Sequence, residues 1–391
     1  MPKIIIGNGF SEAIVGDTTK NSIDVEQIAA LDAKRLTWFA KNDDIIILPS
    51  PVSQTFIDYV NLIMGQQLSL DNFIFASEVP EKPTLLTADI LLNPSLLSTL
   101  QKRCEKNKNW TLFPYLHTSS ICALHHLLQL DDEPTATFIN QSGMDLLNQK
   151  AAFRALFSKS IPMPEGAVCR GATELFHVVT HFLRQHNKLI IKQNMNASGD
   201  GNICLTLTKA GTNIGVREAI FLPSQAAFTT DVALQLWHDL SDAHGNSQLV
   251  VEAYHTNKNT LYAEYEVTQA GHYHPLSYGI VRMEATGEKR NNNMPNWVGF
   301  EIPHTSSTAL EARFLKHCNI LAHALVQLGF SGRISFDAII CENDDILFTE
   351  VNGRLGGCSH IPEVMQHLLK QDFLQHMTLL TRNHVPVKSL T

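Results

Sequence analysis

The chain has 391 residues, and at roughly 100–200 residues per domain it accommodates two or three domains with sizeable cores. Hydrophobic residues make up 44% and charged residues 17%, the reverse of the balance in a disordered chain. Lys and Arg number 30 against 38 Asp and Glu, a net charge of −8 that argues against a surface built to coat nucleic acid.

Lys3–Gly7 reads as a first β-strand rather than a signal peptide, because its apolar stretch is short. Gly7-Asn8-Gly9 after it lacks the third glycine of a dinucleotide fingerprint, since Glu12 stands there, and reads as a strand-end turn. Val25–Phe39 suits a helix, Asp44–Leu48 a short apolar strand, and Asn72–Ala76 another. Strands alternating with helices predict a doubly wound, largely parallel sheet. No apolar run reaches the roughly 18–20 residues of a membrane-spanning helix. The 7 scattered cysteines show no C-x-x-C spacing and fit a reduced, cytoplasmic setting.

A boundary is expected near Gly143. Met144–Ser158 then reads as a helix, broken by Ile161-Pro162-Met163-Pro164. A helix over Thr173–Gln185, a strand at Lys188–Gln193, a Gly-rich loop and a strand at Ile203–Thr208 follow. Gln248–Tyr254 reads as a strand, and Ala309–Leu328 and Ile361–Leu380 as helices.

The most informative stretch is Gly332–Arg354, two β-rich runs around the turn cluster Cys341–Asp345. A two-residue Asn343-Asp344 turn would set Asp337 directly opposite Glu350 and Ser335 opposite Asn352. Period-2 alternation then collects Asp337, Glu350, Asn352 and Arg354 on one face, with Ile334, Phe336, Ala338, Leu347 and Val351 in the core. Opposed carboxylates repel at a Cβ separation of about 5 Å. A hard divalent cation offsets that repulsion, because Mg²⁺ favours carboxylate and amide oxygens together with phosphates. Gly356-Gly357 follows directly.

The run Gly329-Phe330-Ser331-Gly332, Asp337, Glu350-Val351-Asn352-Gly353-Arg354-Leu355-Gly356-Gly357 closely resembles the C-terminal signature of ATP-grasp ligases. The resemblance implies that Asp337, Glu350 and Asn352 hold Mg²⁺ (with Mn²⁺ as a substitute) on the phosphates of ATP, and that Arg354 steadies the transferred phosphate or the tetrahedral intermediate. Other elements fit in order. Lys150 resembles the family's first nucleotide lysine. Lys192, with Gly199 and Gly201 in the loop behind it, resembles the lid strand and its mobile phosphate loop. Glu252, Ala253 and Tyr254 resemble the adenine-reading strand: the Glu252 carboxylate accepts from the amino group, and backbone groups of that stretch read the ring. The usual acidic ribose contact has no counterpart in His255-Thr256-Asn257-Lys258-Asn259.

The implied layout is an N-terminal Rossmann-like pre-ATP-grasp α/β domain over 1–143 and an α+β ATP-grasp domain over 144–391, with a lid at about 165–252 and a core at about 253–391. The first segment is similar to carboxylate–amine ligases of natural-product pathways. The expected activity is ADP-forming amide or peptide ligation through an acyl phosphate. Its partners would be a small-molecule carboxylate and an amine, such as an amino acid or short peptide, with no nucleic acid and no membrane. A homodimer is the default symmetry. The competing expectations are a thiol nucleophile in place of the amine, or a non-catalytic nucleotide-binding protein.

Two further clusters stand apart. His272 and His274 share a strand face, but no Cys or carboxylate cluster completes a zinc set, and they read as exposed loop histidines. Arg282, on the apolar strand Tyr278–Met283, is a candidate catalytic cation facing phosphate or substrate carboxylate, against the alternative of an edge-strand salt bridge.

Overall fold

The computed structural model describes the chain except residues 10–13, 15–22, 106–108, 131–135, 197–200, 210–212, 243–246, 286–294, 304–307, 371–374 and 384–391. Three sheets are formed in succession. The first is parallel, with spatial order β3-β2-β1-β4, from β1 (Lys3–Ile6), β2 (Ile45–Leu48), β3 (Phe73–Phe75) and β4 (Thr111–Pro114). Its central strands are apolar over Ile4–Ile6 and Ile45–Leu48 because both faces are covered. Ile4, Ile6, Ile45 and Ile47 pack on one side, and Ile5, Ile46 and Leu48 on the other. The strand-end turn is real: the buried Asn8 side chain bridges to the Leu116 carbonyl at 2.8 Å and the Leu116 amide at 3.2 Å. A helix runs over Ile23–Ala33 and tightens into a 3₁₀ turn over Lys34–Phe39.

The second sheet contains β5 (Gly166–Cys169), β6 (Lys188–Gln193), β7 (Asn202–Thr206), β8 (Glu218–Phe221) and β9 (Leu249–Ala253), ordered β5-β9-β6-β7-β8. Leu189, Ile191, Ile203, Leu205, Leu249 and Val251 pack beneath the helices Ala172–Phe182 and Thr230–Leu240. Strand alternation therefore turns Ile190, Lys192 and Glu252 to the opposite face.

The third sheet contains β10 (Asn257–Val267), β11 (Tyr273–Ala285), β12 (Pro295–Ile302), β13 (Gly332–Cys341), β14 (Ile346–Asn352) and β15 (Leu379–Leu380), ordered β14-β13-β10-β11-β12-β15. One face packs on the helix Thr308–Gln327 through Phe314, Cys318, Leu321 and Leu325. No helix of the described residues is long and apolar enough to cross a membrane.

Two predicted elements differ. The helix expected over Met144–Ser158 is two helices, Gly143–Leu147 and Lys150–Phe157. Asn148 makes the break: its amide donates to the Met144 carbonyl at 2.9 Å, and its oxygen accepts from the Gly353 amide at 3.1 Å. The C-terminal helix stops at Leu369, where Lys370 adopts a left-handed conformation, and Leu379–Leu380 instead pairs with β12 as a strand.

Candidate active site

The β13–β14 hairpin carries the acidic pair. Asp337 lies opposite Glu350 and Ser335 opposite Asn352, as the sequence predicts, yet by a different route. The turn is longer than two residues: the Cys341 amide donates to the Asp345 carbonyl at 2.8 Å, and Asp344 takes a left-handed conformation at φ 65°. This offsets the register by one from Ile346 to Phe348, and a β-bulge at Thr349 restores it. The Thr349 hydroxyl fixes the bulge by donating to the Asp337 carbonyl at 3.2 Å. Because the bulge also shifts the alternation, Phe348 rather than Leu347 enters the core, which corrects the predicted inward Leu347.

The Asn352 amide donates to Asp337 at 2.8 Å and lies 3.4 Å from Glu350. The Ser335 hydroxyl reaches Asp337 at 3.4 Å. Burial and then the Glu350 carboxylate push Asp337 well above the usual carboxylate range. Burial also opposes ionisation of Glu350, but Lys150, then Arg354 and Lys192, outweigh it and hold Glu350 at about 2. Like charges facing each other thus separate into a carboxyl that keeps its proton and a carboxylate that does not.

Lys150 opens its helix at the break made by Asn148, 8% exposed, with its ammonium 3.2 Å from Glu350 and donating to the Asn196 carbonyl at 3.0 Å. Lys192 is 6% exposed and pairs with Glu252 at 2.6 Å. The other Glu252 oxygen is held by Arg154 at 2.6 Å. Burial raises the Glu252 pKa, and Lys192 with Arg154 more than reverses this and keeps it ionised. Sequence reasoning missed Arg154. Its only signal is the four-residue spacing from Lys150, which places both on one helical face.

One cavity of about 380 Å³ lies between the second and third sheets. Lys150, Lys192, Glu252, Ala253, Tyr254, Asp337, Glu350, Asn352 and Arg354 all face it. Three expectations change. The Glu252 carboxylate, expected to receive an adenine amino group, already has a cation on each oxygen and anchors Lys192. The backbone amides of Ala253 and Tyr254 are spent on the Glu165 and Lys188 carbonyls, so neither is left to donate to a ring. Arg282 does not line the cavity: its neighbours Val281 and Met283 do, and alternation turns Arg282 away to donate to the Thr381 carbonyl at 2.9 Å. Gly201 is also absent from the lining. It closes the β6–β7 hairpin, where a Cβ would meet the Gln193 oxygen at 2.3 Å. Gly199 lies outside the described residues.

The cavity continues to residues that sequence reasoning did not single out. Asp32, Arg35 and Tyr115 enter it from the N-terminal region, beside Tyr262, Val281, Met283, Trp297 and Phe300 of the third sheet. Among the described residues no three His, Cys, Asp or Glu side chains converge. Two opposed carboxyl groups plus an adjacent amide make a donor set that fits a hard divalent cation.

Residues 33–130 match the family model described as the Pre ATP-grasp domain. No curated protein matches the chain. Among solved structures, the ADP complex of an N5-carboxyaminoimidazole ribonucleotide synthetase is similar over 98% of this chain and 80% of its own, at 12% identity and a TM-score of 0.51. The synthetase of that name from Thermus thermophilus is similar over 95% and 79%, at 12% identity and 0.50. Biotin carboxylase from Campylobacter jejuni, in a βγ-ATP complex, is similar over 97% and 73%, at 13% identity and 0.51. The chain carries a pre-ATP-grasp domain joined to the fold of the ATP-grasp ligases.

Proposed function

We propose that this protein is an ATP-dependent, ADP-forming carboxylate–amine ligase. The observation that supports this most is the Asp337–Glu350 pair with Asn352, set in a cavity that Lys150, Lys192 and Arg354 also line. Asp337, Glu350 and Asn352 would hold Mg²⁺, which when bound supplies neutralising charge on the β- and γ-phosphates. The layout follows as part of this reading, with a pre-ATP-grasp domain to about 143, a lid around the second sheet and a core around the third.

Lys150 and Lys192 place two ammonium groups at the cavity wall for the phosphate oxygens of ATP. Each ammonium has three donors, and Glu252 occupies only one of those on Lys192. The substrate carboxylate attacks the γ-phosphorus and gives an acyl phosphate and ADP. The amine then adds to the carbonyl, loses a proton and displaces phosphate, leaving an amide. Arg354 is placed to stabilise the oxyanion of that addition.

The test is product analysis across paired acids and amines with Mg²⁺ and ATP. ADP and phosphate formed only with both partners present is the expected result. AMP and pyrophosphate would overturn the mechanism. Tight ATP binding without turnover over broad panels would make the protein a non-catalytic nucleotide binder, and turnover only with thiols would replace the amine.

A further inference from the structure

We propose that the cavity end beyond Arg354 is a subsite for a free α-amino acid with a bulky apolar side chain, read by Asp32 and Arg35. This rests on the ligase reading and names its acyl donor.

The walls of this end are apolar. Tyr262 and Phe300 rings meet edge-on at 4.9 Å, Phe300 and Trp297 at 5.3 Å, and Val281 and Met283 continue the surface. The Trp297 indole N–H is spent on the Gly299 carbonyl at 3.1 Å, so the ring offers carbon surface to a ligand. Such a wall rewards burial of an aliphatic or aromatic side chain and penalises an unpartnered polar one.

The charges are few and of both signs. Arg35 pairs with Asp32 at 2.9 Å, contacts the Gly357 carbonyl at 3.4 Å and lies 5.7 Å from the Trp297 ring centroid. Their side chains are 28% and 29% exposed, and both line the cavity. Burial comes first in raising the Tyr115 hydroxyl, and Arg354, Asp32, Arg35 and Glu264 all act on it, while Asp32, Arg35 and Arg354 line the cavity with it. Two guanidinium groups and one carboxylate complement a carboxylate plus an ammonium. A phosphorylated sugar would bring roughly two negative charges to a wall that itself carries the Asp32 carboxylate. Gly357 sets the size of this end: a Cβ there would come within 2.7 Å of Trp297 and 3.3 Å of Arg35.

The test uses the full chain with Mg²⁺ and a non-hydrolysable ATP analogue, titrated calorimetrically with L-leucine, L-phenylalanine, N-acetyl-L-phenylalanine, 3-phenylpropanoate, L-aspartate and ribose 5-phosphate. Leucine and phenylalanine should bind, and N-acetylation should weaken binding by roughly tenfold or more. Asp32→Asn should abolish the preference for phenylalanine over 3-phenylpropanoate while analogue binding is kept, which also shows the variant is folded. Gly357→Ala should weaken phenylalanine more than leucine. Tighter binding of aspartate or ribose 5-phosphate, or an unchanged preference in Asp32→Asn, overturns the subsite. ADP formation with some other acid but not with apolar amino acids sinks the subsite and leaves the ligase reading standing. Binding of phenylalanine with no ADP formed from any amine does the opposite. Absence of both nucleotide and amino-acid binding sinks both.

Discussion

Two strand pairs bring carboxylates to the same cavity, and they solve the problem of a buried negative charge in opposite ways. On β6 and β9, Glu252 is closed by Lys192 and Arg154, both at 2.6 Å. On β13 and β14, Asp337 and Glu350 face each other, and only Glu350 has an ammonium partner, at 3.2 Å. The first arrangement is complete without a ligand. The second leaves an acidic face that a cation would complete. A satisfied charge cluster positions its members, whereas an unsatisfied one marks where chemistry is to be expected.

The contrast breaks most clearly at Glu252. Glu252→Ala leaves two buried cations without their counter-charge and should cost about 3–5 kcal/mol in urea unfolding. Glu350→Gln takes the carboxylate from one buried ammonium, Lys150, rather than from two cations, so it should cost less stability than Glu252→Ala, while turnover falls by roughly 100-fold or more in an ADP-release assay. Equal loss of stability in the two variants would erase the distinction.

Acid offers a gentler version of the first test. Glu252 is held below its ordinary pKa, so it stabilises the fold above the unfolded carboxylate value, and that contribution is lost as pH falls below it. The parent should therefore lose stability on acidification from about pH 5 downward more steeply than Glu252→Gln does, as followed by denaturant midpoints. The smallest expected effect is at Arg282. Arg282→Met removes one hydrogen bond to the Thr381 carbonyl and should cost about 1 kcal/mol with turnover unchanged. A large fall in turnover there would return Arg282 to the site.

The parallel first sheet was legible because its central strands are uniformly apolar and separated by helical periodicity. The acidic pair was legible too, although for a partly wrong reason. A longer turn and the Thr349 bulge cancel in register at Asp337 and Glu350, but not at Leu347 and Phe348. Local pattern reports alternation and does not announce where an extra residue is inserted. Arg282 failed on the same ground, since one position along a strand decides which face a side chain serves. Arg154 and Arg35 were missed because the contacts that tie them to the sheets are remote: Glu252 lies 98 residues from Arg154, and the Gly357 carbonyl lies 322 from Arg35. Such pairings exist only once the sheets are stacked.

Asn148 has a mechanical consequence. By holding the Met144 carbonyl with its amide and the Gly353 amide with its oxygen, it rivets the start of the Lys150 helix to the strand end that carries Glu350 and Asn352. Lys150 and the acidic pair share one frame of reference and travel together. Lys192 is fastened to the other sheet. The Lys150 amide and the Ala151 amide also donate to the Asn194 carbonyl and side chain, each at 3.0 Å, just past the end of β6, so the same helix start clips the second sheet to the third and holds the gap between the two lysines from both sides.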